Sequence, residues 1–444
     1  MRSYQVDMCN GPIFKKLIIF SLPLILSGCL QLLFNAADII VVGRFTGNQA
    51  LAAVGSTSAL INLLVNMFIG ISVGANVVLG KSIGARDEEN TSKAVHTAIF
   101  IAVFGGLLMV FVGFFFAKPL LELMATPEDV IDLSSLYMRI YFAGMPFFMV
   151  YNFGAAILRS IGDTKRPLYF LLISGIINVL FNLCFVIVFD MGVAGVALAT
   201  IISQYISAGL CLYLLLTTKG THRIVPSKVK IHKELLGEIL KYGLPSGFQN
   251  SIIGLANVVV QSNINSFGDM AMAGCGAYSK IEGFAFLPIT SFTMALTTFV
   301  GQNLGARQYD RVLKGAKFGM ICSMTLAEII GVIIFVFSPQ FVAAFDATPE
   351  VIHFGTLRGQ TSAFFFCLLA YSHCVSAILR GAGKSMIPMI VMMVCWCFVR
   401  VTGLTIMGAL VHNIWCVYWI YPITWSLSSI TFFIYYHRVD WLHA

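Results

Sequence analysis

Twelve stretches of about 20 or more largely apolar residues follow one another along this chain, from residues 17–43 to residues 412–435, with nearly all charge confined to the gaps. In hydrocarbon every backbone polar group has to be satisfied within the protein, which leaves helices or closed barrels. The runs are too long and too continuous for tilted barrel strands. The expected fold is therefore an all-α polytopic membrane protein with twelve transmembrane helices. Composition agrees: 58% of the 444 residues are hydrophobic and 11% charged, against roughly 25% charged in an ordinary soluble domain. The opening MRSYQVDMCNGPIFKK is polar and runs into a long apolar helix, unlike a cleaved signal peptide.

Basic residues set the orientation. Twenty-two of the 28 Lys and Arg fall on alternate connections and at the two ends, among them Arg2, Lys15, Lys16, Arg86, Arg159, Lys165, Arg166, Arg307, Arg380, Lys384 and Arg438; the intervening connections hold Arg44 and Lys118. By the positive-inside rule both termini are cytoplasmic, in a multi-pass protein of the cell membrane. The formal charge of +8 then reflects anionic lipid at the inner face. The basic runs lack the aromatic interleaving of a nucleic-acid surface, so no nucleic-acid partner is expected.

The chain is also written twice. GKSIGAR (80–86) recurs as GQNLGAR (301–307), and AAILRSIGDTKRP (155–167) as SAILRGAGKSMIP (376–388), both shifted by 221 residues. ATPE (125–128) recurs at 347–350, and Leu22-Pro23 as Leu244-Pro245, both shifted by 222. Two six-helix lobes are expected, 1–216 and 239–444, joined by a basic cytoplasmic linker at 217–238. Six spans per lobe give both the same orientation, hence a pseudo-two-fold axis along the membrane normal. Parallel repeats of this kind belong to transporters that bind substrate between rocking halves. The Gly-x-x-x-Gly of each GxxxGAR motif permits close helix approach, and its Arg can anchor the interface. Pro23, inside the first span, removes a backbone hydrogen bond and is a candidate hinge.

The repeat serves as an internal control. Asn35 has a counterpart in Asn257, but Asp38 maps to Val260, Asn152 to His373, Asn178 to Val399 and Asn182 to Gly403. Asp38, Asn152, Asn178 and Asn182 thus form a polar group of the first lobe alone. Gln31, Asn35 and Asp38 share one helical stripe, and Asn178 and Asn182 share another. Asp38 either reaches to outer water or Arg44, or faces inward as a carboxylate that binds a small cation, H⁺ or Na⁺. Beyond Na⁺ at Asp38 no metal is expected. His373 and Arg400 are further candidates for cavity polar groups, and Glu282 sits beside Lys280 as an interfacial pair. The eleven cysteines are scattered without Cys-x-x-Cys spacing and read as core thiols. No Walker loop or Gly-x-Ser-x-Gly is present, so the chain does not read as an enzyme and no cofactor is implied.

These motifs together resemble the multidrug and toxic compound extrusion (MATE) family over nearly the whole chain. FNAADIIVVGRF is most similar to its DinF-like branch, whose first-helix aspartate is implicated in cation coupling. The resemblance carries that role onto Asp38, and the neighbouring polar roles onto Asn152, Asn178 and Asn182. Many members of the branch have a second acid where this chain has Asn182, and the C-lobe acids of the NorM-like branch have no match here. The resemblance implies a secondary active transporter, working as a monomer, that exports small organic cations or drugs in exchange for H⁺ or Na⁺. Two alternatives stay open. A flippase for lipids or lipid-linked oligosaccharides would need a basic cavity, and few Lys or Arg lie away from loops (Arg139, Lys280, Arg358, Arg400). A non-transporting scaffold would leave the lobe-specific acid without a use.

Overall fold

A computed structural model describes residues 4–124, 126–411 and 413–443; Arg2, Ala125 and His412 lie outside the described residues. Among the described residues every regular element is helical. The first repeat runs α1 (Ile13–Phe45), α2 (Gly47–Gly84), α3 (Glu88–Leu123), α4 (Glu128–Ala143), α5 (Met145–Ser160), α6 (Lys165–Leu183) with a π-helical turn at Cys184–Val188, and α7 (Gly192–Thr217). The second runs α8 (Lys233–Asn265), α9 (Asp269–Gly305), α10 (Tyr309–Ala343), α11 (Pro349–Ala363), α12 (Phe366–Gly381), α13 (Met386–Met392), a π-helical stretch at Met393–Phe398 leading into α14 (Val399–Leu410), and α15 (Ile414–Arg438).

Nine helical runs among the described residues are long and apolar enough to cross a bilayer, and the bent pairs α4–α5 and α11–α12 each make one more. α8, at 33 residues, is long enough to cross as well, but it is less apolar than these, carrying Ser246, Gln249, Asn250 and Ser251 along its middle.

The sequence predicts unbroken helices over 131–157 and 351–378, and both are broken, by 47° and 58°. In the first, Pro146 stands in the opening turn of α5; it has no N–H and crowds the preceding turn. Its repeat counterpart is Cys367, whose freed N–H is accepted by Glu328 Oε2 from α10 at 3.0 Å. One copy breaks the helix by deleting a donor, the other by supplying an outside acceptor.

Two compact units result, Met1–Asp7 with Leu26–Gly247, and Met8–Ile25 with Phe248–Ala444. Each repeat's opening helix therefore changes unit just past its proline, Pro23 in α1 and Pro245 in α8. Within the second unit, the carbonyl of Met8 accepts from Asn303 Nδ2 and Arg311 Nε, both at 3.1 Å. Within the first, α8 lies against α2 through glycines on both helices. A Cβ on Gly74 would stand 2.3 Å from the Ile239 oxygen and 2.6 Å from the Gly243 nitrogen, and one on Gly70 2.1 Å from the Gly247 nitrogen. This is backbone-to-backbone packing that only glycine allows.

The GxxxGAR motifs end their helices. Arg86 and Arg307 both adopt φ 56°, and the following N–H groups reach back to Ser82 and Asn303 at 3.0 and 2.8 Å, the wrap that closes a helix C-terminus. The inter-repeat linker is fastened to α3: Val225 N–H donates to His96 Nε2 at 2.9 Å and His232 N–H to Thr97 Oγ1 at 3.3 Å.

Candidate functional site

Asp38 lies on α1 seven residues before its end, and Asn178 and Asn182 lie one turn apart near the end of α6. The helices come together because Gly175, one turn earlier on α6, presents no side chain to Phe34 of α1; a Cβ there would lie 1.8 Å from the ring. Asn182 Nδ2 then donates to Asp38 Oδ1 in a short hydrogen bond, and to Asn178 Oδ1 at 3.4 Å. Asp38 is half-buried, while Asn182 is fully buried and its Oδ1 has no hydrogen-bond partner among the described residues. A buried amide oxygen without a donor is uncommon and costly. The π-helical turn begins two residues after Asn182, a feature frequent at functional sites.

Three sequence candidates stand apart from this pair. Asn152 donates to the Phe148 carbonyl of its own helix at 2.9 Å, so its amide is spent within α5. Gln31 and Asn35 are exposed on α1, and the hydrogen bonds of the Asp38 pair do not include them. Instead Tyr137, buried on α4, comes within electrostatic reach of Asp38. The repeat held a signal for it: the second copy has Arg358 at the equivalent place.

The second unit holds a different polar cluster. Arg358 (α11) and Arg400 (α14) are both buried and flank the Tyr421 ring, with guanidinium carbons 5.2 and 4.6 Å from its centroid. Arg400 donates to Asn257 Oδ1 at 3.3 Å and Thr424 Oγ1 at 3.0 Å. Arg358 donates to the Cys275 carbonyl at 3.2 Å and Ser279 Oγ at 3.3 Å. Glu282 pairs with Arg358 at 3.7 Å, which corrects the expected pairing with Lys280: residues two apart on a helix point away from each other. His373 is packed edge-on against Phe286 and Trp396 at 5.8 and 5.3 Å, and its Nε2 has no partner among the described residues.

The sequence matches the MatE family over residues 23–184 and 245–404, once in each repeat. The chain belongs to this family. It is 29% identical to the probable multidrug resistance protein YoeA of Bacillus subtilis (strain 168), across 96% of this chain and 94% of that protein. To the probable multidrug resistance protein YpnP of the same organism it is 30% identical, across 86% and 85%. Its fold superposes on a multidrug resistance MATE family transporter of the MOP superfamily in an outward-facing conformation, with TM-score 0.91 and 21% identity over 100% of this chain and 99% of that one. As a MATE protein it is a multi-pass membrane transporter with a two-lobe, twelve-helix fold, and not an enzyme.

On the second unit of this MATE transporter a groove of about 570 Å³ opens at the break between α11 and α12, lined by Met324, Thr325, Glu328, Ile329, Val332 and Cys367 among others. Its one carboxylate, Glu328, is the acceptor for the Cys367 N–H. No group of three or more His, Cys, Asp or Glu suited to a metal ion occurs among the described residues, and none of the eleven cysteines is in a disulfide.

Proposed function

We propose that this protein is a secondary active efflux transporter of the cell membrane, with both termini cytoplasmic, exporting small organic cations in exchange for H⁺ or Na⁺ bound at Asp38. The reading rests above all on the Asp38–Asn182 pair, a membrane-embedded carboxylate beside a buried amide oxygen that has no donor among the described residues. With its amide turned over, Asn182 presents Oδ1 where Nδ2 now lies between Asp38 Oδ1 and Asn178 Oδ1, and one charged and two neutral oxygens are the donor set a hard cation takes. A proton on Asp38 would serve the same end by cancelling the charge. Either occupant favours whichever conformation closes around it, and the substrate need only favour the other.

Pro23 is the hinge in this reading, supported by the change of unit within α1 at Ile25/Leu26. The lobes 1–216 and 239–444 move around the linker, each having exchanged its opening segment, 8–25 and 239–247, with the other.

The test is efflux of a fluorescent organic cation from proteoliposomes under separately imposed H⁺ and Na⁺ gradients, wild type beside Asp38→Asn. Transport driven by one gradient and lost in the variant is expected. Unchanged gradient-driven efflux in Asp38→Asn would refute the role of this site.

A further inference from the structure

We propose that the buried arginines of the second unit, Arg358 and Arg400, form a binding site for an oxyanion, a carboxylate or phosphate carried by the transported molecule. The inference rests on the transporter reading above and extends it to substrate class.

Charge is the first argument. The cluster holds two guanidinium groups and one carboxylate. That carboxylate, Glu282, makes a single long contact of 3.7 Å, to Arg358. Arg400 has no carboxylate within ion-pair distance among the described residues; its partners are neutral, Asn257 and Thr424. Its Nε has no hydrogen-bond partner there, at 1% exposure. Arg358 lies nine residues inside α11 and Glu282 thirteen inside α9, depths of about 14 and 20 Å at 1.5 Å per residue. A surplus positive charge at such depth is costly unless an anion joins it.

Shape is the second argument. Guanidinium groups present planar forks of N–H donors that match carboxylate and phosphate oxygens. Aromatic faces surround them, Tyr278 at 5.3 Å from the Arg358 carbon and Trp396 at 5.2 Å from that of Arg400. Trp396 belongs to the π-helical stretch Met393–Phe398, which ends two residues before Arg400, just as the first unit's π turn adjoins Asn182. Such a frame fits an oxyanion attached to an aromatic or amphipathic body.

The repeat supplies the third. Arg358 replaces Tyr137 and Arg400 replaces Val179, while Asn257 is shared with Asn35. Corresponding regions of the two repeats thus carry an acid in one unit and, in the other, two bases with a single acid, Glu282. Glu282 is the resident anion that an incoming oxyanion displaces from Arg358.

A matched pair of dyes tests this: one rhodamine as its ethyl ester, a net cation, and as its free acid, a zwitterion with the same rings. Binding to the purified full-length protein is read by fluorescence anisotropy, with no gradient imposed. The wild type is expected to bind the acid. Arg400→Gln and Arg358→Gln should each weaken the acid about tenfold or more while leaving the ester within about twofold. Glu282→Gln should tighten the acid, because the competing carboxylate is neutralised; this variant keeps the test decisive if an arginine variant fails to fold. Failure of the wild type to bind the acid, equal losses for both dyes, or no tightening in Glu282→Gln would each overturn the proposal. Gradient-driven efflux of the ester in Asp38→Asn reports separately on the ion site, so the two readings fail independently.

Discussion

Replacing Asn182 by leucine separates an ion site from a polar packing contact, because the two accounts predict opposite patterns. Leucine fills similar volume but removes two features. One is the donor to Asp38; a hydrogen bond to an ionised group contributes about 1.5–3 kcal/mol. The other is the buried Oδ1, which has no partner among the described residues and whose burial costs about 1–3 kcal/mol. These terms oppose, so stability should fall by less than about 2 kcal/mol. Ion binding has no such cancellation, since both the neutral oxygen and the group positioning the carboxylate are lost. A deficit of about 1.5–3 kcal/mol corresponds to a roughly ten- to hundred-fold rise in the half-saturating ion concentration. The assay is initial efflux rate from proteoliposomes against Na⁺ at fixed pH, and against pH at fixed Na⁺, alongside thermal unfolding of the same preparation. Half-saturation at the wild-type value, with stability lowered by about 2 kcal/mol or more, would refute the reasoning and make Asn182 a structural residue.

Gly74→Ala should force α2 and α8 apart by about an ångström, given the 2.3 Å approach to the Ile239 oxygen, at a cost of about 1–3 kcal/mol; a lowered unfolding temperature checks it. Glu328→Ala leaves the Cys367 N–H unpaired at the helix break and should destabilise by about 1–2 kcal/mol, whereas Glu328→Gln keeps an acceptor and should lose much less. His222, in the loop after α7 against Thr218 at 3.2 Å, has its pKa pushed down to about 4 by burial and then by the Arg166 charge. It is neutral in the folded protein, so the unfolded chain binds more protons between pH 6.5 and 4 and stability falls as pH drops through that window, by up to about 3 kcal/mol. His222→Asn should flatten that part of the stability–pH curve.

The span count and the duplication were legible because both are properties of the sequence read at long range. A run of apolar residues, and a shift of 221 that returns Gly-Ala-Arg and Leu-Arg, do not depend on neighbours in space. Asp38, Asn178 and Asn182 were legible for a related reason: one repeat lacks what the other has, and helical spacing puts the two amides on one face. Asn152 shares that asymmetry, yet its amide donates to its own helix, and only side-chain geometry distinguishes the cases. The partner of Glu282 was hidden because Arg358 lies 76 positions away on another helix. The break between α11 and α12 was hidden likewise, since its cause is not a proline at the break but a glutamate on α10. Pro23 and Pro245 were visible, but not that the chain exchanges units beyond them.

Duplication also explains how one bundle can hold opposite chemistries. The residues common to both copies, Leu-Pro, Gly-Ala-Arg and Arg159 with Arg380, maintain the frame, and substitutions between them are free to diverge. An acid in one copy and two bases in the other let an ion and a substrate oxyanion occupy different atoms. Their influence on each other must then pass through the conformation that each favours. That is measurable as non-additivity. If the sites act only on their own ligands, Asp38→Asn should leave the acid-to-ester binding ratio unchanged, and Asp38→Asn with Arg400→Gln should show the sum of the single effects within about 0.5 kcal/mol. If conformation links them, saturating ion should shift acid affinity in the wild type, and that shift should vanish in Asp38→Asn with Arg400 intact. A shift that persists without Asp38 would show that the ion acts elsewhere in the protein, and the division of labour between the two copies would fail.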